Sequence, residues 1–190
     1  MKKRIFIAAN LPEKIKKKLI LWQEKYDFLP VRWTKENSLR LTLVFIGYAD
    51  DDQVVAAARA MRKTAQNGAP FNIKFKKIIY GPPEKSAKIP RMIWLSGEPN
   101  QQLADLKHNL EDSLLSVNSG FNKPETKKFI PHITLARTKM ERWRDLENPP
   151  LIDEIFEAEA PVESIELVQS NLARDGAQYA VLESAELLSY

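Results

Sequence analysis

The sequence predicts an α+β fold with mixed or antiparallel sheets, on three observations. Several short stretches alternate apolar and polar residues with the period of two of a half-buried strand. Three longer stretches repeat apolar residues every three or four positions, as amphipathic helices do. Their order is strand, helix, strands, helix, strands, helix, strand and a closing antiparallel set. At 190 residues the chain can bury one core of ordinary size, so it reads as a single compact unit over 1–190.

Residues 4–9 read as the first strand, and Pro12 suits the first turn of a helix in which Leu11, Ile15, Leu19, Trp22 and Tyr26 form one stripe. Lys14, Lys16, Lys17 and Lys18 mostly fall off that stripe and read as a solvated face. An extended segment over 30–33 and a polar connection over 34–38 lead to a strand over 39–46. There Leu39, Leu41, Leu43 and Phe45 share one face, and Arg40, Thr42, Val44 and Ile46 the other. Gly47 and Asp50-Asp51-Asp52 stop the strand and start a helix over about 52–66, because carboxylates cap free amides and oppose the helix dipole. Asn67-Gly68 ends that helix.

The stretch 71–80 alternates Phe71, Ile73 and Phe75 against Asn72, Lys74 and Lys76. A Gly81-Pro82-Pro83 turn opens a lysine-bearing loop to Pro90, and 92–95 forms the next strand. Leu103, Leu106, Leu110, Leu114 and Val117 make the stripe of a third helix, with His108 about 200° round from Leu106 and so in solvent. A loop over 118–127 precedes the strand described below. A short helix over 140–146 is broken by Pro149-Pro150. Strands over 155–160, 162–172 and 179–188 close the chain, with Arg174-Asp175-Gly176 as a hairpin turn.

Composition narrows the function classes. With 44% hydrophobic and 28% charged residues the chain is neither disordered nor of membrane type. The absence of cysteine removes disulfides, thiolate catalysis and cysteine-rich zinc sites, and two histidines do not make a metal-ligand motif, so no metal or cofactor is expected. The apolar run over 5–9 is too short for a signal-peptide core and no run approaches spanning length, so a cytoplasmic protein with no membrane partner is expected. A net charge of +4 and a pI near 9.2 lean weakly toward a polyanionic partner.

The chain's chemistry concentrates in Lys128-Phe129-Ile130-Pro131-His132-Ile133-Thr134-Leu135-Ala136-Arg137. Along a strand His132 and Thr134 project to one side, Ile133 and Leu135 to the other. One face can bury while the other reacts. Far upstream, Arg40-Leu41-Thr42-Leu43 repeats the pattern with Arg in place of His.

These residues carry a resemblance. The chain resembles the two-histidine phosphoesterase superfamily, specifically its RNA 2′,3′-cyclic phosphodiesterase branch, described also through 2′-5′ RNA ligation. The match runs through Arg4-Ile5-Phe6-Ile7-Ala8-Ala9 with Leu11-Pro12, Val31-Arg32-Trp33, Asn37 to Leu43 with Phe45-Ile46-Gly47, Pro131 to Arg137, and Leu167 to Ser170 with Gly176 and Tyr179. The resemblance implies two pseudo-symmetric α/β lobes with mostly antiparallel sheets around a central cleft, the two motif strands side by side within it. It implies His132 and the residue at position 40 as the catalytic pair, Thr42, Thr134 and Arg137 as substrate-binding groups, and no metal. The partners it implies are RNA with 2′,3′-cyclic phosphate ends, such as tRNA fragments or nucleotides, and a monomer is expected. Two imidazoles flanking a cyclic phosphate can take the proton of water and protonate the departing ribose oxygen, while two hydroxyls hold the non-bridging oxygens.

The sequence departs from that pattern at Arg40. A guanidinium stays protonated at physiological pH, so it binds phosphate but cannot serve as a base. Losing one acid/base group costs on the order of 10²–10⁴ in rate. Three functions stay open: an impaired cyclic phosphodiesterase, a binding module for phosphorylated RNA ends, and a generic basic RNA-binding domain. The alternative for Thr42 and Thr134 is that they are ordinary β-formers, and the phosphate role is the favoured reading. Strict alternation sends Arg137 to the face opposite His132, where it meets phosphate only if the strand ends or twists first. It also groups Phe45 with Leu41 and Leu43, favouring core packing over base stacking.

Overall fold

The structure is a computed structural model that describes residues 2–83, 89–117, 121, 129–173 and 176–188. Residues 84–88 of the expected lysine-bearing loop, 118–120 and 122–127 of the next, Lys128, and Arg174 and Asp175 of the expected turn lie outside the described residues.

Alternating strands and striped helices assemble into two antiparallel sheets. The first has the order β3-β1-β8-β9, from β1 (Lys3–Asn10), β3 (Arg40–Ala49), β8 (Ser164–Ala173) and β9 (Gly176–Glu186). The second has the order β2-β6-β5-β4-β7, from β2 (Val31–Trp33), β4 (Phe71–Gly81), β5 (Met92–Gly97), β6 (His132–Thr138) and β7 (Asp153–Val162). The predicted α+β class, with two mostly antiparallel sheets, is what the chain forms.

The helices are α1 (Glu13–Glu24), α2 (Asp51–Gln66), α3 (Gln101–Ser116) and the single turn α4 (Met140–Trp143), which is shorter than the expected 140–146. Asp50 starts α2 as the acidic run predicts. Its side chain accepts from the Gln53 N–H at 2.9 Å while the Gln53 side chain accepts from the Asp50 N–H at 3.0 Å, a reciprocal cap. The α3 stripe of Leu103, Leu106, Leu110 and Leu114 is buried, and His108 sits in solvent beside Asp112 at 3.4 Å.

One cluster of buried side chains draws on both sheets and α1, α2 and α3, with Ile5, Ile7, Leu19, Leu41, Met61, Ile93, Leu95 and Ile133 at 0–1% exposure. Burying such a side chain contributes about 1.5–3 kcal/mol. On β6 the buried pair Ile133 and Leu135 turns His132 and Thr134 to the other face. The core therefore sets which face carries His132 and Thr134.

Three expectations are corrected. Lys16 is buried and ion-paired to Glu13 at 2.8 Å, so it is not part of the solvated lysine face. β3 does not stop at Gly47; glycine adopts φ 93°, open to a residue without a Cβ, and the strand continues to Ala49. Phe45 is not core but 56% exposed, for a reason that lies in the register of β3.

Candidate active site

Against β1, Ala8 pairs with Thr42, Ile7 with Val44, Phe6 with Phe45 and Ile5 with Gly47, so Leu43 and Ile46 are each skipped. Each skip is a bulge, and a bulge reverses the alternation beyond it. Arg40, Thr42 and Phe45 therefore share the face that carries Ala8 and Phe6 of β1. Phe45 lies 5.5 Å from the Phe6 ring, with Tyr179 5.1 Å on Phe6's other side and the Arg4 guanidinium 5.8 Å over Phe45.

β6 does the same. Trp94 pairs with Thr134 and Ile93 with Ala136, which skips Leu135. Beyond that bulge Arg137 returns to the face of His132 and Thr134, opposite to what strict alternation gives. The bulged residue is the third after the motif's first in both strands, Leu43 after Arg40 and Leu135 after His132. Phe45 and Arg137 thus occupy matching places, five residues past Arg40 and His132. β3 and β6 belong to different sheets and touch one another where the sheets meet.

His132 is fixed from two directions. Its Nδ1 lies 2.8 Å from the Ile130 carbonyl, which can only accept, so Nδ1 carries the proton and Nε2 keeps the lone pair. Its ring stacks on Trp94, centroids 3.7 Å apart and planes 21° from parallel. Trp94 in turn lies against Gly81, where an added Cβ would fall 2.1 Å from the indole Cδ2. Only glycine leaves room for that ring. The Pro131 carbonyl accepts from the Gly97 N–H at 2.8 Å, seating the start of β6 against the end of β5. Burial pushes the imidazole below its ordinary value, the Ile130 carbonyl opposes that shift, and the charge of Arg137 adds to the lowering.

Arg40 is equally constrained. Its Nε donates to Glu166 Oε2 at 2.9 Å and an Nη1 N–H donates to the Asn37 carbonyl, with 9% of the Arg40 and 13% of the Glu166 side chain exposed. Ala8 stands between Thr42 and Glu166 in the register, and its single methyl lets the guanidinium cross β1. The remaining N–H donors of Arg40 are not used by these two contacts. Thr42 and Thr134 are half-buried on the faces of Arg40 and His132, and the Thr134 carbonyl accepts from Thr34 Oγ1 at 2.9 Å.

Thus β6 gathers His132, Thr134 and Arg137, and β3 gathers Arg40 and Thr42; Arg40 and His132 make no direct hydrogen bond. Sequence reasoning missed Trp94 and Glu166. For Glu166 the available clue was a carboxylate interrupting the apolar run Ile165-Glu166-Leu167-Val168. For Trp94 there was none, because its neighbour comes from a distant strand.

The chain is similar to several known proteins. The family model of the 2′-5′ RNA ligase superfamily matches residues 39–174. The RNA 2′,3′-cyclic phosphodiesterase of Thermus thermophilus is 31% identical over 97% of this chain and 90% of its own. That of Thermotoga maritima is 29% identical over 94% and 92%. The crystal structure of TT0787 of T. thermophilus superposes with a TM-score of 0.80 at 29% identity, covering 97% of both chains. E. coli LigT complexed with 3′-AMP superposes at 0.78 over 100% of both, and at 23% identity that is a likeness of fold alone.

Proposed function

The chain belongs to the 2′-5′ RNA ligase superfamily, and on that ground we propose that it is an RNA 2′,3′-cyclic phosphodiesterase that opens cyclic phosphate ends to 2′-phosphates. His132 is its general base. The observation that carries this role is the Nδ1 contact with the Ile130 carbonyl, which leaves the Nε2 lone pair for the proton of an attacking water. The water oxygen bonds to phosphorus, the bond to O3′ breaks, and O3′ is protonated from solvent. Arg40 stabilises the departing oxygen electrostatically but gives it no proton, so the reaction is slower than with two imidazoles. Thr42 and Thr134 hold the non-bridging oxygens, Arg137 carries substrate charge, and Phe45 offers an exposed ring to a base.

The protein acts as a cytosolic monomer without metal. Hydrolysis of adenosine 2′,3′-cyclic phosphate, followed by ³¹P NMR, is expected to yield the 2′-phosphate, to survive EDTA, and to fall by 10²–10⁴ or so in His132→Ala. Loss of turnover with chelator, or full turnover in the variant, contradicts the mechanism.

A second reading is favoured by one observation, the engagement of Arg40 by Glu166 and Asn37. A guanidinium held this way suits capture of an RNA end without turnover. Binding of a cyclic-phosphate oligonucleotide with no product after long incubation distinguishes this reading.

A further inference from the structure

Arg32 of β2 is the register partner of Arg137 of β6, and both are exposed. The bulge at Leu135 places Arg137 on the face of His132, and Arg32, directly opposite it, shares that face. Two like charges directly opposite on neighbouring strands are destabilising. Some cations of the chain stand beside carboxylates, as Lys3 does with Asp51, Arg40 with Glu166, Arg62 with Glu183, Lys76 with Glu98 and Lys77 with Asp153. Among the described residues, Arg32 and Arg137 make no ion pair, and Arg137's side-chain partner is the Met92 sulfur at 3.4 Å. An uncompensated arginine pair on the reactive face is arranged for an anion from outside the chain.

The position of the pair identifies that anion. Five residues with one bulge separate His132 from Arg137, about 13 Å of strand at the usual rise. The Arg137 charge still acts on the imidazole, but Arg32 lies one strand further out, about 4.8 Å beyond. That is too far for Arg32 to share the phosphoryl group at His132. We propose that Arg32, with Arg137, binds the internucleotide phosphodiester on the 5′ side of the reacting end, so that the protein favours an RNA terminus over a free cyclic nucleotide. This inference rests on the RNA-end reading above.

The test compares adenosine 2′,3′-cyclic phosphate with the dinucleotide ApA bearing a 2′,3′-cyclic phosphate. Arg32→Gln is expected to lower kcat/KM for the dinucleotide about tenfold while leaving the mononucleotide unchanged. It should also flatten the dinucleotide's log affinity against log salt by about 0.7. A methylphosphonate in the internucleotide position removes that charge and should abolish the difference between parent and variant. Arg32 is exposed, and an unchanged melting temperature shows that the variant is folded. No loss on the dinucleotide, or equal loss on both substrates, overturns the inference. If the parent hydrolyses neither substrate, the phosphodiesterase reading has failed. The same contrast is then read as anisotropy of a 5′-labelled ApA with a 2′-phosphate end against labelled adenosine 2′-phosphate. A dinucleotide preference that Arg32→Gln removes upholds the subsite, and its absence removes it.

Discussion

The Ile130 carbonyl and the Trp94 indole together deny His132 both rotation and a choice of tautomer, while Arg40 is held by a carboxylate and a carbonyl of its own. Replacing that guanidinium by an imidazole brings a titratable group beside Glu166, whose negative charge favours the protonated ring. Arg40→His is therefore expected to supply the missing acid. The turnover of adenosine 2′,3′-cyclic phosphate should rise by about 10²–10⁴, and the pH profile should gain a falling limb on the alkaline side. Equal rates for parent and variant would place Arg40 away from the reacting phosphorus. The residue types at 132, 134 and 42 were legible in the sequence because alternation keeps them clear of the core. Glu166 was not, because its importance depends on a neighbour more than a hundred positions away.

At the scale of elements, sequence pattern carries the strands and helices but not the bulges. Alternation assumes each residue has a partner, and at Leu43 and Leu135 one residue has none. Strict alternation puts Phe45 and Arg137 on the wrong face for that single reason. The register makes a measurable distinction: Leu41→Ala is expected to cost about 2–5 kcal/mol, and Phe45→Ala less than about 2 kcal/mol, because Leu41 is 1% exposed and Phe45 56%. Urea denaturation of both variants checks the order, and similar losses would return Phe45 to the core. The contact between β4 and β5 gives another expectation. A Cβ at Gly81 would collide with a fused ring rather than a flexible chain end, so Gly81→Ala should cost about 1–3 kcal/mol. Displacing the indole should also lower kcat more than it raises KM.

For the molecule as a whole, the α+β class follows from the periodicities, and the core that joins the two sheets follows from the apolar stripes. The meeting of β3 with β6 does not, since nothing local specifies which strands of the two sheets approach. Elsewhere in the fold, Trp22 Nε1 donates to Glu154 Oε2 at 2.9 Å and Tyr26 donates to the same carboxylate, tying α1 to β7 at the outer edge of the second sheet. Global stability should also report His132. Its imidazole sits below the 6.5 of an unfolded chain, so the unfolded state binds more protons as the medium turns acid. The contribution is complete above about pH 6.5 and is lost as pH falls through the folded value. Melting curves between pH 8 and 5 are expected to fall less steeply in His132→Gln than in the parent. Parallel curves would mean that burial does not disfavour the charged ring.

Ala8 has the least side chain of any residue around Arg40, yet it governs how that guanidinium is shared. Because one methyl group is all that separates Thr42 from Glu166 across β1, a branched side chain there would act as a wedge, cutting the arginine from its carboxylate. In the proposed reaction the freed cation would turn its full charge on the substrate phosphate, and a change at Ala8 would then alter affinity through Arg40.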